Sequence, residues 1–301
     1  MSEKNAGVYP LAGAIGATLV LGIVKLAVGL TTGSHAVLAS GADSLGDAVV
    51  SGVNLLMMRQ AAMPPDEGHP WGHGKAEALA SLAQAVALAV VVGTIAVTAV
   101  RSLLGASGAV PDTGPALIVM VGSMCGSLGI STFLERAATR TGSLVLRADA
   151  VHYRMDLLSG SAVLVGLVVA RFTGWAQADA AASLVVSALM VRDVFGVGKE
   201  AIDELMDRPL PAEEVERIEA VLAGFGPRLV SWHDLRTRRS GPSRFVQVHV
   251  VLAPATTFAA AHRVSDDVER ALRAAVANLD VLVHADVDGE DDATDAAASQ
   301  A

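Results

Sequence analysis

Two short stretches carry ionisable side chains at the same spacing: Asp43-Ser44-Leu45-Gly46-Asp47 and His152-Tyr153-Arg154-Met155-Asp156. Four residues make about one turn of an α-helix, so each pair shares one helix face. If the two faces meet, three carboxylates and one imidazole converge. That donor set suits tetrahedral Zn²⁺ or a related first-row divalent cation. Three carboxylates held together in a low dielectric cannot all stay ionised once the ion leaves, and some then take up protons. Metal release coupled to proton uptake is the chemistry of an antiporter. His152 is the ligand whose protonation brings the exchange into the physiological range. Taken singly, Asp47 could be a helix-packing group and Asp156 could neutralise Arg154.

Further candidate ligands lie outside these stretches. The segment Asp66-Glu67-Gly68-His69-Pro70-Trp71-Gly72-His73 offers Asp66, His69 and His73 among glycines and prolines that let a chain wrap an ion. Downstream stand His233, His249, His262 and His284, with Asp286 two residues past the last. His284 and Asp286 share a face if they lie on a strand, where side chains repeat every second residue. Cys125 is the sole cysteine, which excludes an internal disulfide framework and a thiolate cluster. Lys25 and Arg192 are expected to snorkel or pair. Asp149 is expected to cap a helix, support the ligands or bind directly.

What must hold these groups is a set of lipid-length helices. The chain of 301 residues is 52% hydrophobic and 18% charged, against about 45–50% and about 25% in soluble domains. The apolar excess falls before residue 200. A span needs about 20 mostly apolar residues, and six segments qualify, roughly 9–31, 36–58, 78–100, 114–134, 144–170 and 176–197. The two spaced pairs fall in the second and fifth. A carboxylate at a span centre costs about 2.5–3.5 kcal/mol even on gentle scales, so such residues are functional candidates. With the amino terminus inside, Lys4, Arg59, Lys75, Arg136, Arg140 and Arg147 face the cytoplasm and only Arg101 and Arg171 face out. That asymmetry favours both termini in the cytoplasm. The amino terminus lacks the cationic, apolar and small-residue succession of a cleaved signal peptide.

After residue 208 the pattern becomes that of a soluble domain. Helical spacing over 211–225, strands over 229–239 and 243–252 around Ser240-Gly241-Pro242, a helix over 259–277 and a strand over 280–287 give an α-β-β-α-β order. Helices on one face of a small sheet are expected. Val246, Val248, Val250 and Leu252 alternate with Phe245, Gln247, His249 and Val251, so one strand face is apolar. The expected domains are 1–208 in the membrane, 209–288 in the cytoplasm and a disordered acidic tail over 289–301. A net charge of −9 argues against a nucleic-acid partner.

The chain resembles the cation diffusion facilitator family, and within it the bacterial ferrous-iron and zinc efflux branch. The likeness rests on Asp43-Ser44-Leu45-Gly46-Asp47, on His69-Pro70-Trp71-Gly72-His73-Gly74-Lys75-Ala76-Glu77, on the run from Arg147 to Asp156 and on His233-Asp234-Leu235-Arg236-Thr237-Arg238. It covers about residues 9–288. It implies a homodimer in the inner membrane, six spans per subunit and a cytoplasmic metallochaperone-like α+β domain. Asp43, Asp47, His152 and Asp156 match that family's transport site, and Asp66, His69 and His73 its loop site. His233, His249, His262, His284 and Asp286 match a two-metal site at the cytoplasmic dimer interface. Lys75 and Asp207 match a charge interlock at the junction of membrane and soluble parts. Ala285 departs from the longer polar residue common in relatives, which puts one outer contact of the two-metal site at stake. Two aspartates in span two, rather than a histidine and an aspartate, make a harder site that should accept Cd²⁺, Fe²⁺ or Mn²⁺ besides Zn²⁺. The expected function is a divalent cation/proton antiporter exporting Zn²⁺. The alternative is a membrane-anchored metal sensor. An intramembrane metalloenzyme is disfavoured, because such enzymes need a general base beside a metal-bound water, as in His-Glu-x-x-His, and that motif is absent.

Overall fold

The computed structural model describes residues 7–105, 114–175 and 177–289. Lys4, positions 106–113 of the third inter-helix connection and the acidic tail beyond Gly289 lie outside them. The chain divides into two compact units, Met1–Leu205 and Met206–Ala301.

The first unit is built of six long helices: α1 Val8–Thr32, α2 His35–Ala61, α3 Lys75–Leu103, α4 Gly114–Thr141, α5 Leu144–Thr173 and α6 Ala178–Leu205. Among the described residues four segments are long and apolar enough to cross a membrane: Val8–Thr32, Lys75–Leu103, Leu117–Thr141 and Ala178–Leu205. Helices α2 and α5, which carry the two spaced ionisable pairs, are not among these four. Large apolar side chains such as Val20, Ile23, Val90, Val97, Val185 and Leu189 point outward, the arrangement a lipid surroundings favours and water does not.

α1 and α2 form a tight hairpin. Gly33 ends α1 in the left-handed region at φ 68°, and the Ser34 hydroxyl caps α2 by accepting from the Val37 amide at 3.4 Å. Along the hairpin the helices approach closely. A Cβ on Gly41 would lie 2.8 Å from Leu26, and one on Gly29 2.8 Å from Leu38. Missing side chains here permit the contact, as in other membrane helix pairs. α3 packs chiefly on α6, and α4 on α5, while α2 touches α5 only sparsely. One apolar cluster joins Leu11, Met58, Leu134, Leu146 and Tyr153 across α1, α2, α4 and α5. A second joins Leu88, Val151, Met155, Met190 and Val194 across α3, α5 and α6. Arg147–Glu200 at 2.7 Å and Arg154–Asp193 at 2.8 Å tie α5 to α6. Arg154 therefore has a carboxylate partner other than Asp156.

The second unit runs α7 Ala212–Ala223, a 3-10 turn Gly226–Arg228, β1 Ser231–Ser240, β2 Ser243–Leu252, α8 Phe258–Ala275 and β3 Leu279–Val287. The sheet order is β1-β2-β3, with β1 antiparallel and β3 parallel to β2. Val246, Val248, Val250 and Leu252 are buried against Ile218, Leu222, Val268 and Leu272 of the helices. The apolar strand face expected from the alternation is the core.

Candidate metal centres

One face of α2 carries Asp43, Asp47, Ser51 and Asn54, each about a turn beyond the last. On α5 the corresponding stripe is Asp149, His152, Tyr153 and Asp156. The two stripes meet. His152 Nε2 lies 3.0 Å from Asp47 Oδ1 and 3.9 Å from Asp156 Oδ2. Ligand atoms of Asp47, His152 and Asp156 all fall within 4.8 Å of one another. Asp43 stands outside that tight group but lines the same cavity as Asp47 and Asp156.

The cavity, about 480 Å³, is walled by α1, α2, α4 and α5, and its α2 lining runs from Val37 to Asp47. It thus reaches from the candidate ligands toward the α1–α2 turn. On the other side of this group polar contacts join α2, α3 and α5. Asp149 is fully buried and accepts from Ser51 Oγ at 2.7 Å, Asn54 Nδ2 at 2.7 Å and Gln84 Nε2 at 2.8 Å. The Tyr153 hydroxyl extends the network to Thr18 at 2.8 Å. Asp149 is a structural acceptor bridging α2, α3 and α5. The signal in the sequence was the continuation of the α2 stripe through Ser51 and Asn54, which are polar positions on an otherwise apolar helix.

The segment between α2 and α3 forms the second group. The His69 amide donates to Asp66 Oδ1 at 2.7 Å, and His73 Nε2 lies 3.3 Å from Asp66 Oδ2. Gly72 makes the turn possible in the left-handed region at φ 82°. That backbone hydrogen bond, helped by both imidazoles, holds the Asp66 carboxyl below the usual carboxylate range. His73 is buried to 7% exposure, and its Nδ1 has no hydrogen-bond partner among the described residues. Buried donors and acceptors are rarely left so, which fits a site that takes a ligand.

Two residues on, α3 starts, and Glu77 of the same motif is not at this site. It accepts from the Ser143 hydroxyl and, at 3.4 Å, from the Val145 amide. The carboxylate thereby sits at the amino end of α5, where backbone N–H groups and the helix dipole favour it. Lys75 Nζ donates to the Leu205 carbonyl at 3.1 Å. Asp207, at a left-handed φ of 57°, pairs with Arg238 at 3.3 Å.

In the second unit the strand register does the assembling. His233 is opposite His249, and His249 is opposite His284. The three imidazoles form a row on the sheet face away from the core. Asp286 joins them from the same face of β3, with Oδ2 at 2.9 Å from His249 Nδ1 and 3.3 Å from His233 Nε2, and Oδ1 at 3.1 Å from His284 Nε2. His233 Nδ1 is buried without a hydrogen-bond partner among the described residues. A bulge between His233 and Arg236, with Asp234 at φ 48°, turns β1 at this point. His262 is not brought into the row; it sits on α8, 68% exposed, 3.6 Å from Asp266. Ala285 pairs with Val250, so strand alternation sends its side chain to the face opposite His284 and Asp286.

Residues 11–206 match the cation efflux transmembrane domain, and residues 210–287 match the cytoplasmic domain of cation efflux proteins. The cation-efflux pump FieF of Escherichia coli O127:H6 is 34% identical over 264 residues, covering 88% of this chain and 87% of that protein. FieF of Shigella boydii serotype 18 and of Shigella flexneri serotype 5b match at the same identity and coverage. Among solved structures, CzrB in its Zn form is 42% identical over a segment covering 29% of this chain and 98% of the solved one, at a TM-score of 0.27. With both domain types matched in order and FieF alike along most of its length, the chain belongs to the cation diffusion facilitator family of cation efflux transporters.

Proposed function

We propose that this transporter is a divalent transition-metal/proton antiporter that exports Zn²⁺, and by the same site Cd²⁺, Fe²⁺ or Mn²⁺, from the cytoplasm. The observation that carries the reading is the convergence of Asp47, His152 and Asp156 from α2 and α5 within 4.8 Å, with Asp43 in the same cavity. Carboxylate oxygens and one imidazole nitrogen hold a first-row cation without redox change. When the ion departs, like charges at this spacing favour protonation of part of the set. Bound metal and bound protons thereby exclude one another, which is what couples the two fluxes.

In this reading all six long helices of residues 1–208 span the inner membrane and both termini are cytoplasmic. Residues 209–288 form the cytoplasmic metal-binding and dimerisation domain, followed by an acidic tail over 289–301. Asp66, His69 and His73 form a second cation site. His233, His249, His262, His284 and Asp286 bind regulatory Zn²⁺ in a homodimer, and Lys75 and Asp207 lock the subunits at the membrane junction. Asp286, touching three imidazoles, has the geometry of a carboxylate able to bridge two ions.

The test is Zn²⁺ uptake into vesicles carrying the purified protein, with a pH probe inside. Asp47→Ala and Asp156→Ala are expected to abolish proton-driven Zn²⁺ flux while the protein stays folded and dimeric. Wild-type flux in either variant refutes the site.

A further inference from the structure

Lys25 belongs to none of the ligand groups, yet it is the cavity's own cation. On α1 the buried positions Thr18, Gly22, Lys25 and Gly29 fall on one stripe facing into the bundle. Lys25 does not snorkel. It is only 9% exposed, and its Nζ donates to the buried Ser44 hydroxyl at 2.7 Å. Ser44 follows Asp43 directly, and Lys25, Asp43, Asp47 and Asp156 line the same cavity. A buried ammonium in a lipid-length helix is expensive unless opposite charge faces it. The carboxylates facing it are those assigned to the transported ion.

Charge counting gives the arrangement a purpose. Three ionised carboxylates holding one divalent ion retain one negative charge, and a single ammonium cancels it. An ammonium has no lone pair, so it cannot itself ligate a metal. It acts only through its field, repelling the ion it sits beside and stabilising the carboxylates when the ion is gone. Resting on the transport-site reading above, we propose that Lys25 is a positioning residue that sets how tightly the divalent ion is held, weakening the loaded state enough for release. It makes the ion-loaded cavity electrically neutral while the helices move.

Zn²⁺ itself is the probe, and the full-length protein is the sample. A background carrying His69→Ala, His73→Ala, His233→Ala and His249→Ala removes the other candidate sites from the titration. In that background Lys25→Met deletes the charge at nearly constant volume, Lys25→Gln deletes the charge but keeps a donor for Ser44, and Lys25→Arg keeps the charge. Both neutral variants are expected to bind Zn²⁺ about tenfold tighter or more, the effect of removing a unit charge near a divalent ion at intermediate dielectric. In vesicles their KM should fall together with kcat, the mark of an ion held too firmly. Lys25→Arg should stay within about twofold of its parent. Unchanged or weaker Zn²⁺ binding in the neutral variants overturns the proposal. So does a parallel change in Arg, Gln and Met, which would mark a packing role. Asp47→Asn in the same background separates the premises: if it still binds Zn²⁺ with parental affinity, the transport-site assignment falls and the role of Lys25 with it. If it loses binding while the neutral Lys25 variants titrate like the parent, only the role of Lys25 falls.

Discussion

Asp149 takes three donors, Ser51 and Asn54 from α2 and Gln84 from α3, and it is wholly buried. Removing its carboxylate takes a buried acceptor from all three, although Asn54 keeps Gln84 Oε1 and Ser51 keeps the Tyr153 hydroxyl as second partners. Asp149→Ala is therefore expected to cost about 3 kcal/mol, each unsatisfied donor contributing about 1–3 kcal/mol before relaxation. Asp149→Asn, which still accepts, should cost less. The measurement is the thermal unfolding midpoint in detergent, and equal midpoints for Asp149→Ala and wild type would refute the bridging role. In the second unit Glu214 shows the opposite balance. Burial pushes its carboxyl upward, but hydrogen bonds and charge from Arg244 outweigh this and hold it below the usual range. A depressed carboxylate stabilises the fold above its unfolded value of about pH 4.3 and loses that contribution as the pH falls through its lower folded value. Wild type is thus expected to lose more stability than Glu214→Gln between about pH 6 and about pH 3. Parallel denaturant-unfolding curves for the two across that window would show the pair to be inert.

Helices α5 and α6 meet where a Cβ on Gly166 would come within 2.3 Å of the Asp179 Cα and 2.8 Å of its amide nitrogen. Backbone cannot step aside as a flexible side chain can. Gly166→Ala is accordingly expected to destabilise by about 1–3 kcal/mol, read as a lower unfolding midpoint, whereas Gly46→Ala, with open space around it, should be silent. Equal effects would mean that close approach does not limit this contact. Helices were readable from sequence because lipid length and turn formers mark them, although observed α3 and α6 extend beyond the apolar runs into charged turns. The strand pattern was equally plain, with β2 spanning the expected residues. What the sequence withheld was pairing between distant elements. Nothing in the residues near 84 announces that Gln84 reaches Asp149, and nothing local to His284 says that β3 lies parallel to β2 and completes a histidine row.

The two units carry chemically similar donors for different expected tasks. Four alanines at His233, His249, His284 and Asp286 are expected to lower Zn²⁺ binding stoichiometry while leaving proton-driven flux measurable at saturating Zn²⁺. Alanine at Asp47 and Asp156 should abolish flux and leave the histidine row able to bind. Growth in excess zinc and equilibrium dialysis check both arms. If the intramembrane set proves dispensable and the histidine row essential for growth, the molecule is a sensor and not an exporter. Sequence spacing put Asp43 with Asp47, His152 with Asp156 and His284 with Asp286 on shared faces, because i, i+4 and i, i+2 patterns translate directly into such faces. It could not separate candidate ligands from neighbours such as Glu77, whose carboxylate caps α5, or Lys25, which bonds Ser44 one helix away.

The glycine-lined seam of the first two helices has a mechanical corollary. Asp43 and Asp47 are fastened to one stiff rod-pair, while His152 and Asp156 ride on α5, which that pair meets through the side chains of Asp149 and Tyr153 more than by close backbone packing. In the proposed reading the ion is held in the gap between two bodies and not in a cup moulded within one. Its radius and coordination number then become a gauge of how far apart those bodies stand, so cations of different size should favour different tilts of the same machine.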